Sequence, residues 1–288
     1  MSETLPPYSN SLAPSPGQEP LQSWLTELGV RPQSWDQVVA EISLRLGPAG
    51  LENFRRHHQN YTGYPTPDTL TRFYNFVYAH GLGDLLVNFR AHRIAAILPH
   101  LNTQVTPGLR ILEQGAGTGT LLQWIKTHKA PQELLAIDFA HEAQAYFDPL
   151  EIPFQVSAKN EKPTNSPLSS TYDLVICADS LGELHADEEG ELRKAVIVWS
   201  QLNAKGKSKA LAAQNELIID LFEERYGYTE KIIACAGLWV TTGSLLFFEP
   251  FTQPALQFAL ETRLNRQGFR ISRLNSPGET VALRIWAE

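Results

Sequence analysis

Residues 109–125 read LRILEQGAGTGTLLQWI, and this stretch decides the fold. The apolar run at its start predicts a short buried strand, and Leu121, Leu122 and Ile125 fall on one face of a helix. The glycine-rich turn between them lets the backbone approach a ligand closely and directs helix N-terminal amides at an anionic group. The stretch therefore predicts a strand, a ligand-holding turn and a helix.

Two common phosphate-binding turns do not fit these residues. A dinucleotide-binding turn has the spacing G-x-G-x-x-G, and its third glycine would fall where the chain has Thr120. A P-loop requires a Gly-Lys-Ser/Thr sequence, and the first lysine after the turn is Lys126, inside the predicted helix. A dinucleotide and a nucleoside triphosphate are therefore both disfavoured as ligands.

The C-terminal part alternates short apolar runs with helical patterns, which is typical of βαβ units on a mostly parallel sheet. The Pro-Gly within residues 275–279 is a turn signal, so the last two strands are expected to pair as an antiparallel hairpin. The predicted fold is thus α/β, with a seven-stranded, doubly wound, mostly parallel sheet that ends in this hairpin. The predicted strands are 109–113, 134–138, 153–157, 173–178, 244–249, 269–274 and 280–286.

Upstream of the sheet the sequence predicts a tail and then helices. Residues 1–20 hold five prolines and few apolar side chains, so they are expected to form a flexible tail. Helical periodicity then predicts a helical cap region over 21–104, followed by the sheet domain over 105–288. A segment at about 203–242 is longer than a turn requires, and we interpret it as a helical insertion. We expect it to form a lid over the substrate together with the N-terminal helices.

The glycine turn resembles a known family signature. It matches the acidic-x-G-x-G-x-G pattern of class I S-adenosylmethionine-dependent methyltransferases, whose four positions are filled here by Glu113, Gly115, Gly117 and Gly119. The resemblance covers roughly 105–288, because the strand order and the phrases YDLVICADSLGELH and GSLLFFEPF are also similar to that family. It implies a Rossmann-like methyltransferase that binds S-adenosylmethionine, with the turn, Ala116 included, around the methionine part.

The resemblance also implies roles for residues at the strand ends. An acid that ends the second strand binds both ribose hydroxyls in this family, and Asp138 stands at that place. A carboxylate suits the task because its two oxygens can meet two adjacent donors. Capping of the next helix is a compatible role for Asp138. The family's usual acid near the adenine is missing, so Ser157 is expected to contribute a hydroxyl or backbone group, and Asp179 is a further cofactor-binding candidate.

His185 is the candidate general base. It follows the fourth strand, at the edge of a doubly wound sheet where the ligand crevice opens. Methyl transfer is an in-line displacement at the sulfonium carbon, so the enzyme positions the nucleophile and, for a hydroxyl, removes its proton. The alternative is a solvated loop histidine that precedes an acidic helix start at 187–189.

Composition and short sequence patterns limit the classes of partner that the protein is expected to have. The formal net charge of −7 disfavours a nucleic-acid backbone as partner, and the Asn/Asp-Pro-Pro-aromatic sequence typical of nucleic-acid amino-methyltransferases is missing. The first residues show no secretory signal, and the uncharged run 232–248 contains too many small polar residues for a membrane span. The two cysteines are too far apart for a metal knuckle, so no metal site is predicted.

These observations predict a cytoplasmic methyltransferase that modifies oxygen or nitrogen of a small-molecule acceptor. Two alternatives remain open. One is an RNA or ribosome-linked methyltransferase, because VICADSLGELH resembles the mitochondrial ribosomal small-subunit methyltransferase-like proteins, although the cysteine cluster of those proteins is missing. The other is an assembly factor that binds the cofactor without turnover.

Overall fold

The structure is a computed structural model that describes residues 19–63, 66–156, 172–178, 191–205, 208–226, 232, 239–249, 254–274 and 281–287. Its centre is a single seven-stranded sheet. The strands are β1 Arg110–Gln114, β2 Glu133–Asp138, β3 Phe154–Val156, β4 Tyr172–Ala178, β5 Trp239–Glu249, β6 Phe269–Leu274 and β7 Val281–Ala287.

The strand order is β3-β2-β1-β4-β5-β7-β6. Strands β1 to β5 pair in parallel, whereas β7 runs antiparallel to both β5 and β6. The predicted doubly wound, mostly parallel sheet with a C-terminal antiparallel hairpin is therefore confirmed. The order reverses between β1 and β4, and in such sheets the carboxyl ends of the strands beside this point form the ligand crevice.

Helices precede the sheet and flank both of its faces. The long span α2 leaves helical geometry at Gly47, where φ is 68° and ψ is −178°, and Pro48 begins its second part. A short 3₁₀ turn, His141–Ala143, leads into α7. The helices are α1 Glu19–Glu27, α2 Trp35–Gly63, α3 Pro67–Ala79, α4 Gly83–Phe89, α5 Ala91–Gln104, α6 Thr120–Lys129, α7 Gln144–Phe147, α8 Glu191–Ala204, α9 Ser208–Tyr226 and α10 Pro254–Arg266.

Each face of the sheet has its own hydrophobic core. Successive strand residues point to opposite faces, so Ile111 and Phe248 join one core while their neighbours Leu112 and Phe247 join the other. The first core contains buried side chains from all of α1–α5 and from α6. The second contains buried side chains from α8, α9 and α10. The N-terminal helices therefore share a core with the sheet.

The position of α9 corrects the expected lid. Ile218, Ile219 and Phe222 of this helix are buried in the second core, and α9 packs against α8 and α10. The N-terminal helices belong to the first core, on the other face of the sheet. The described part of the predicted insertion is thus a flanking layer of the sheet, because its apolar stripe covers a sheet face. Residues 227–231 and 233–238 lie outside the described residues.

No helix within the described ranges is long and apolar enough to span a membrane.

Candidate functional site

Three glycines turn the chain from β1 into α6. Their φ values are 73° at Gly115, 55° at Gly117 and 74° at Gly119, in the left-handed region that side chains with a Cβ atom avoid. At Gly119 the space is closed as well, since an added Cβ atom would lie 2.6 Å from Cε1 of Phe147. The turn therefore needs glycine at these positions, and the N–H groups of Gly115 and Ala116 both donate to the carbonyl of Ile137 on β2.

Asp138, the last residue of β2, is bound to this turn. Its side chain is only 4% exposed, and its Oδ2 accepts a hydrogen bond from the Gly117 N–H at 2.9 Å. Its Oδ1 accepts from the Ala140 N–H at 2.9 Å, which caps the chain as it enters the 3₁₀ turn. A carboxylate oxygen can accept two hydrogen bonds, so the capping role is compatible with ligand binding at the same carboxylate.

Glu113, on β1, is the buried acid of the site. It is 3% exposed, and its Oε2 has no hydrogen-bond partner among the described residues. Burial raises the pKa of Glu113 well above its usual range, and the nearby negative charge of Asp138 adds to that rise. A backbone hydrogen bond from Leu122 opposes it. The ionised carboxylate is thus poorly compensated, and a cation beside it would stabilise it.

A cleft of about 660 Å³, part of it open to solvent, lies over the glycine turn. Glu113 and residues 115–118 form one side of it, and Ala178 at the end of β4 borders it. The opposite wall comes from the N-terminal helices. Its members include Tyr74 and Tyr78 of α3, Leu86 and Val87 of α4, and Arg90, Arg93, Ile94 and Ile97 at and within α5.

Close contacts hold the N-terminal helices against the turn. The backbone N–H of Gly83, at the start of α4, donates to the hydroxyl of Tyr146 at 2.9 Å. A Cβ atom at Gly83 would lie 2.6 Å from Cγ2 of Thr118, so α4 approaches the turn at backbone distance. The hydroxyl of Tyr78 would lie 3.2 Å from a Cβ atom at Gly117. The cleft is therefore formed by both parts of the chain.

The structure brings several predicted site residues together at the carboxyl ends of β1 and β2. These residues are Glu113, Gly115, Ala116, Gly117, Gly119 and Asp138. Ser157, Asp179 and His185 lie outside the described residues, so their roles stay predictions.

Sequence reasoning did not single out the two arginines of the cleft wall. Arg90 immediately precedes α5 and Arg93 lies in its first turn, three residues further along the chain. That spacing places two side chains on one face of a helix, and the rest of α5 is mostly apolar. The isolated cationic pair on an apolar helix was the signal available in the sequence.

No protein-family model and no curated protein matches this sequence, whereas solved structures do. A DhpI–SAH complex is 13% identical, with a TM-score of 0.52 over 77% of this chain and 96% of that chain. The CurJ carbon methyltransferase is 15% identical, with a TM-score of 0.44 over 94% of this chain and 71% of that chain. The magnesium protoporphyrin IX methyltransferase (ChlM) of Synechocystis PCC 6803, solved with bound SAM, is 15% identical, with a TM-score of 0.43 over 82% and 97%.

Sequence identities this low support a conclusion about the fold alone. The likeness to the DhpI–SAH complex, together with the strand order, shows that the chain has the class I methyltransferase fold.

Proposed function

We propose that the protein is an S-adenosylmethionine-dependent methyltransferase that acts on a small-molecule acceptor. One observation carries the proposal. A buried acid and a glycine turn line one cleft at the switch point of a class I methyltransferase fold, and a strand-end acid is hydrogen-bonded to that turn. These are three separate binding groups for one ligand that has a cationic amino-acid end and a ribose.

The residues of the cleft fit this cofactor. The Oε2 of Glu113 is a buried acceptor without a hydrogen-bond partner in the described structure, which suits an ammonium group. The cleft runs along residues 115–118 of the glycine turn, where the methionine part would lie. Asp138 is placed at the end of β2, where its carboxylate would accept from the ribose hydroxyls. Ser157 and Asp179 are proposed to complete the contacts.

When bound, S-adenosylmethionine supplies an electrophilic methyl group on a sulfonium. The chain's own residues then have to hold the acceptor in line with that group and keep water away. The wall opposite the turn offers Tyr74, Leu86 and Val87 for this purpose. For a hydroxyl acceptor a proton must also be removed, and we propose His185 as the base.

An acceptor of small size is favoured by the chemistry of that wall. Apolar and phenolic side chains from α3 and α4 suit a partly apolar organic molecule. The net charge of −7 disfavours a polyanion such as RNA. We propose methylation of oxygen or nitrogen.

Calorimetry with S-adenosylmethionine and S-adenosylhomocysteine tests the cofactor, and absence of binding by the wild-type protein would refute the assignment. A metabolite panel incubated with cofactor, followed by mass spectrometry, tests the acceptor through a mass gain of one methyl group. Parallel incubations with total RNA and ribosomal subunits serve as the comparison. Methyl incorporation only into these samples would overturn the small-molecule acceptor. Cofactor binding without transfer to any sample would favour a non-catalytic assembly factor.

A further inference from the structure

A second cavity lies on the β5, β6 and β7 side of the sheet. It measures about 660 Å³, part of it open to solvent, and these strands and the last residue of α5 line it. None of the described residues that line it also lines the cleft. Ser244 is in register with Leu174 and, through it, with Ile111 near the start of β1. At about 3.3 Å per residue and about 4.8 Å per strand, the cavity lies roughly 20 Å from the glycine turn.

Arg284 on β7 is the charged residue among those described in this lining. Its Nε donates to Oγ of Ser244 at 3.1 Å, and its Nη1 donates to Oε1 of Gln104 at 3.1 Å. Ser244 is buried and Gln104 is half-buried, so the protein itself holds both acceptors. The guanidinium is therefore oriented before any ligand arrives, which reduces the entropy lost on binding.

No carboxylate in the described part of the chain pairs with Arg284, because both of its hydrogen bonds go to neutral oxygens. Arg273 differs, since it lies on the opposite face of the neighbouring strand β6 and donates to both carboxylate oxygens of Glu261. Two of the five N–H donors of Arg284 are used, which leaves three for a further acceptor. The half-buried positive charge of Arg284 is thus oriented but not neutralised.

The rest of the lining supplies further donors and an apolar wall. Ser272 lies opposite Arg284 in the register of β6 and β7 and adds a hydroxyl. Trp286 shares the face of Arg284, two residues along β7, and adds an indole N–H and a ring. Leu274 shares the face of Ser272. The described lining includes no acid, so its chemistry favours an anion that also has an apolar part.

We propose that this cavity binds a small organic oxyanion, a carboxylate or a phosphate monoester, whose apolar part lies against Trp286 and Leu274. The planar guanidinium of Arg284 matches two oxygens of either group with parallel N–H bonds. The volume of the cavity lies within the range of about 300 to 1,000 Å³ that is usual for small-molecule sites. The site is distinct from the proposed cofactor site and does not depend on the proposed function.

The indole N–H of Trp286 provides a local readout of this site. The chain has six tryptophans, and a Trp286→Phe variant identifies the Trp286 signal in ¹H–¹⁵N correlation spectra of the labelled full chain. Benzoate and phenyl phosphate are titrated at constant ionic strength as the carboxylate and phosphate probes, with benzamide as the uncharged comparison. We expect a saturable shift of the Trp286 signal with at least one anion and none with benzamide. The anion that binds more tightly identifies the group that the site prefers, and either order supports an oxyanion site.

Substitution of Arg284 tests the recognition of the charge. We expect Arg284→Gln to weaken the binding of the anion about tenfold or more, because charge-assisted bonds are lost. Arg284→Lys, which keeps the charge without the planar set of donors, should recover part of the affinity. Arg273→Gln is the matched control, since Arg273 is 64% exposed, pairs with Glu261 and does not line the cavity. It should leave the affinity for the anion unchanged.

A second titration, with S-adenosylhomocysteine at saturation, separates the two sites. The anion should still shift the Trp286 signal, whereas its displacement by S-adenosylhomocysteine would place the anion in the cleft and overturn the proposal. Absence of a saturable shift with either anion, an equal shift with benzamide, or wild-type affinity in Arg284→Gln would also overturn it. Failure of the protein to bind S-adenosylhomocysteine would refute the proposed function, while the first titration would still decide on the anion site.

Discussion

Replacement of Glu113 by glutamine should stabilise the ligand-free protein while weakening its binding of cofactor. The wild-type side chain buries a carboxylate whose Oε2 lacks a hydrogen-bond partner among the described residues, and Asp138 adds a second negative charge nearby. Glutamine has nearly the same shape, keeps an oxygen for the Leu122 N–H and removes the charge. A buried neutral polar group without a partner costs about 1 to 3 kcal/mol and a charged one costs more, so glutamine, whose amide would still lack a partner, removes the excess that is due to the charge. At roughly 3 °C per kcal/mol, Glu113→Gln should raise Tm by several degrees at pH 8.

The increase in Tm should depend on pH, and the direction of that dependence follows from the raised pKa of Glu113. The pKa of Glu113 in the folded protein lies above its ordinary value of 4.5, so its protonated form favours folding. That stabilisation is complete below the ordinary value and is lost as pH rises through the folded-state pKa. The Tm advantage of Glu113→Gln should therefore be largest at pH 8 and shrink toward pH 5.

The affinity for cofactor should change with pH in the direction opposite to the stability of the ligand-free protein. A cationic ammonium prefers ionised Glu113, so the wild-type affinity for S-adenosylmethionine should fall as pH is lowered, and Glu113→Gln should bind weakly at every pH. Thermal unfolding with and without cofactor measures both effects. Glu133→Gln is the control, because Glu133 lies at the other end of β2 and accepts a hydrogen bond from Tyr172. A Glu113→Gln protein no more stable than wild type at pH 8 would contradict an uncompensated carboxylate.

Three further predictions concern the turn and the chemistry. Asp138→Ala should weaken both S-adenosylmethionine and S-adenosylhomocysteine about tenfold or more in calorimetry, since charge-assisted bonds contribute about 1.5 to 3 kcal/mol each; unchanged affinity would remove it from the site. Gly119→Ala, whose Cβ would lie 2.6 Å from Phe147, should lower Tm and abolish binding. Gly268→Ala, at φ 83° with open space around it, should lower Tm only. For a hydroxyl acceptor, His185→Ala should reduce turnover by a factor of about 10² to 10⁴ with little change in cofactor affinity. If the rate of the variant still rises with pH near about pH 6.5, as expected for a histidine base, the base is another residue.

The sheet was predictable because its strands are short apolar runs bounded by turn residues. Predicted and observed strands mostly agree within a residue or two, as for β4, predicted at 173–178 and found at Tyr172–Ala178. The exception is β5, predicted from residue 244 and found from Trp239. Its first residues include Val240, Thr241 and Thr242, and β-branched side chains favour a strand once a partner such as β4 is available. The polar residues in this part of the sequence gave no indication that it pairs with β4.

The site was predictable only in its local part. The glycine spacing identified the turn, because each left-handed backbone position requires glycine and is therefore visible in the sequence. The N-terminal helices were expected over the site, but the sequence did not show which residues of α3, α4 and α5 line the cleft, because an apolar helical stripe does not specify which surface it covers. The same ambiguity explains the error over α9, whose buried residues cover the second face of the sheet. Which helix packs where depends on tertiary contacts between segments distant in sequence.

The shared core of the N-terminal helices and the sheet links folding to ligand binding. Because α1–α5 bury side chains in the same core as β1, β2, β4 and β5, a shorter chain that began at β1 would expose the apolar surface that these five helices cover. The same helices supply the cleft wall, so occupancy of the cleft should protect their backbone amides from hydrogen exchange. The N-terminal helices are thus not a detachable cover of the sheet, and the affinity of the protein for ligand also measures how firmly α1–α5 are folded.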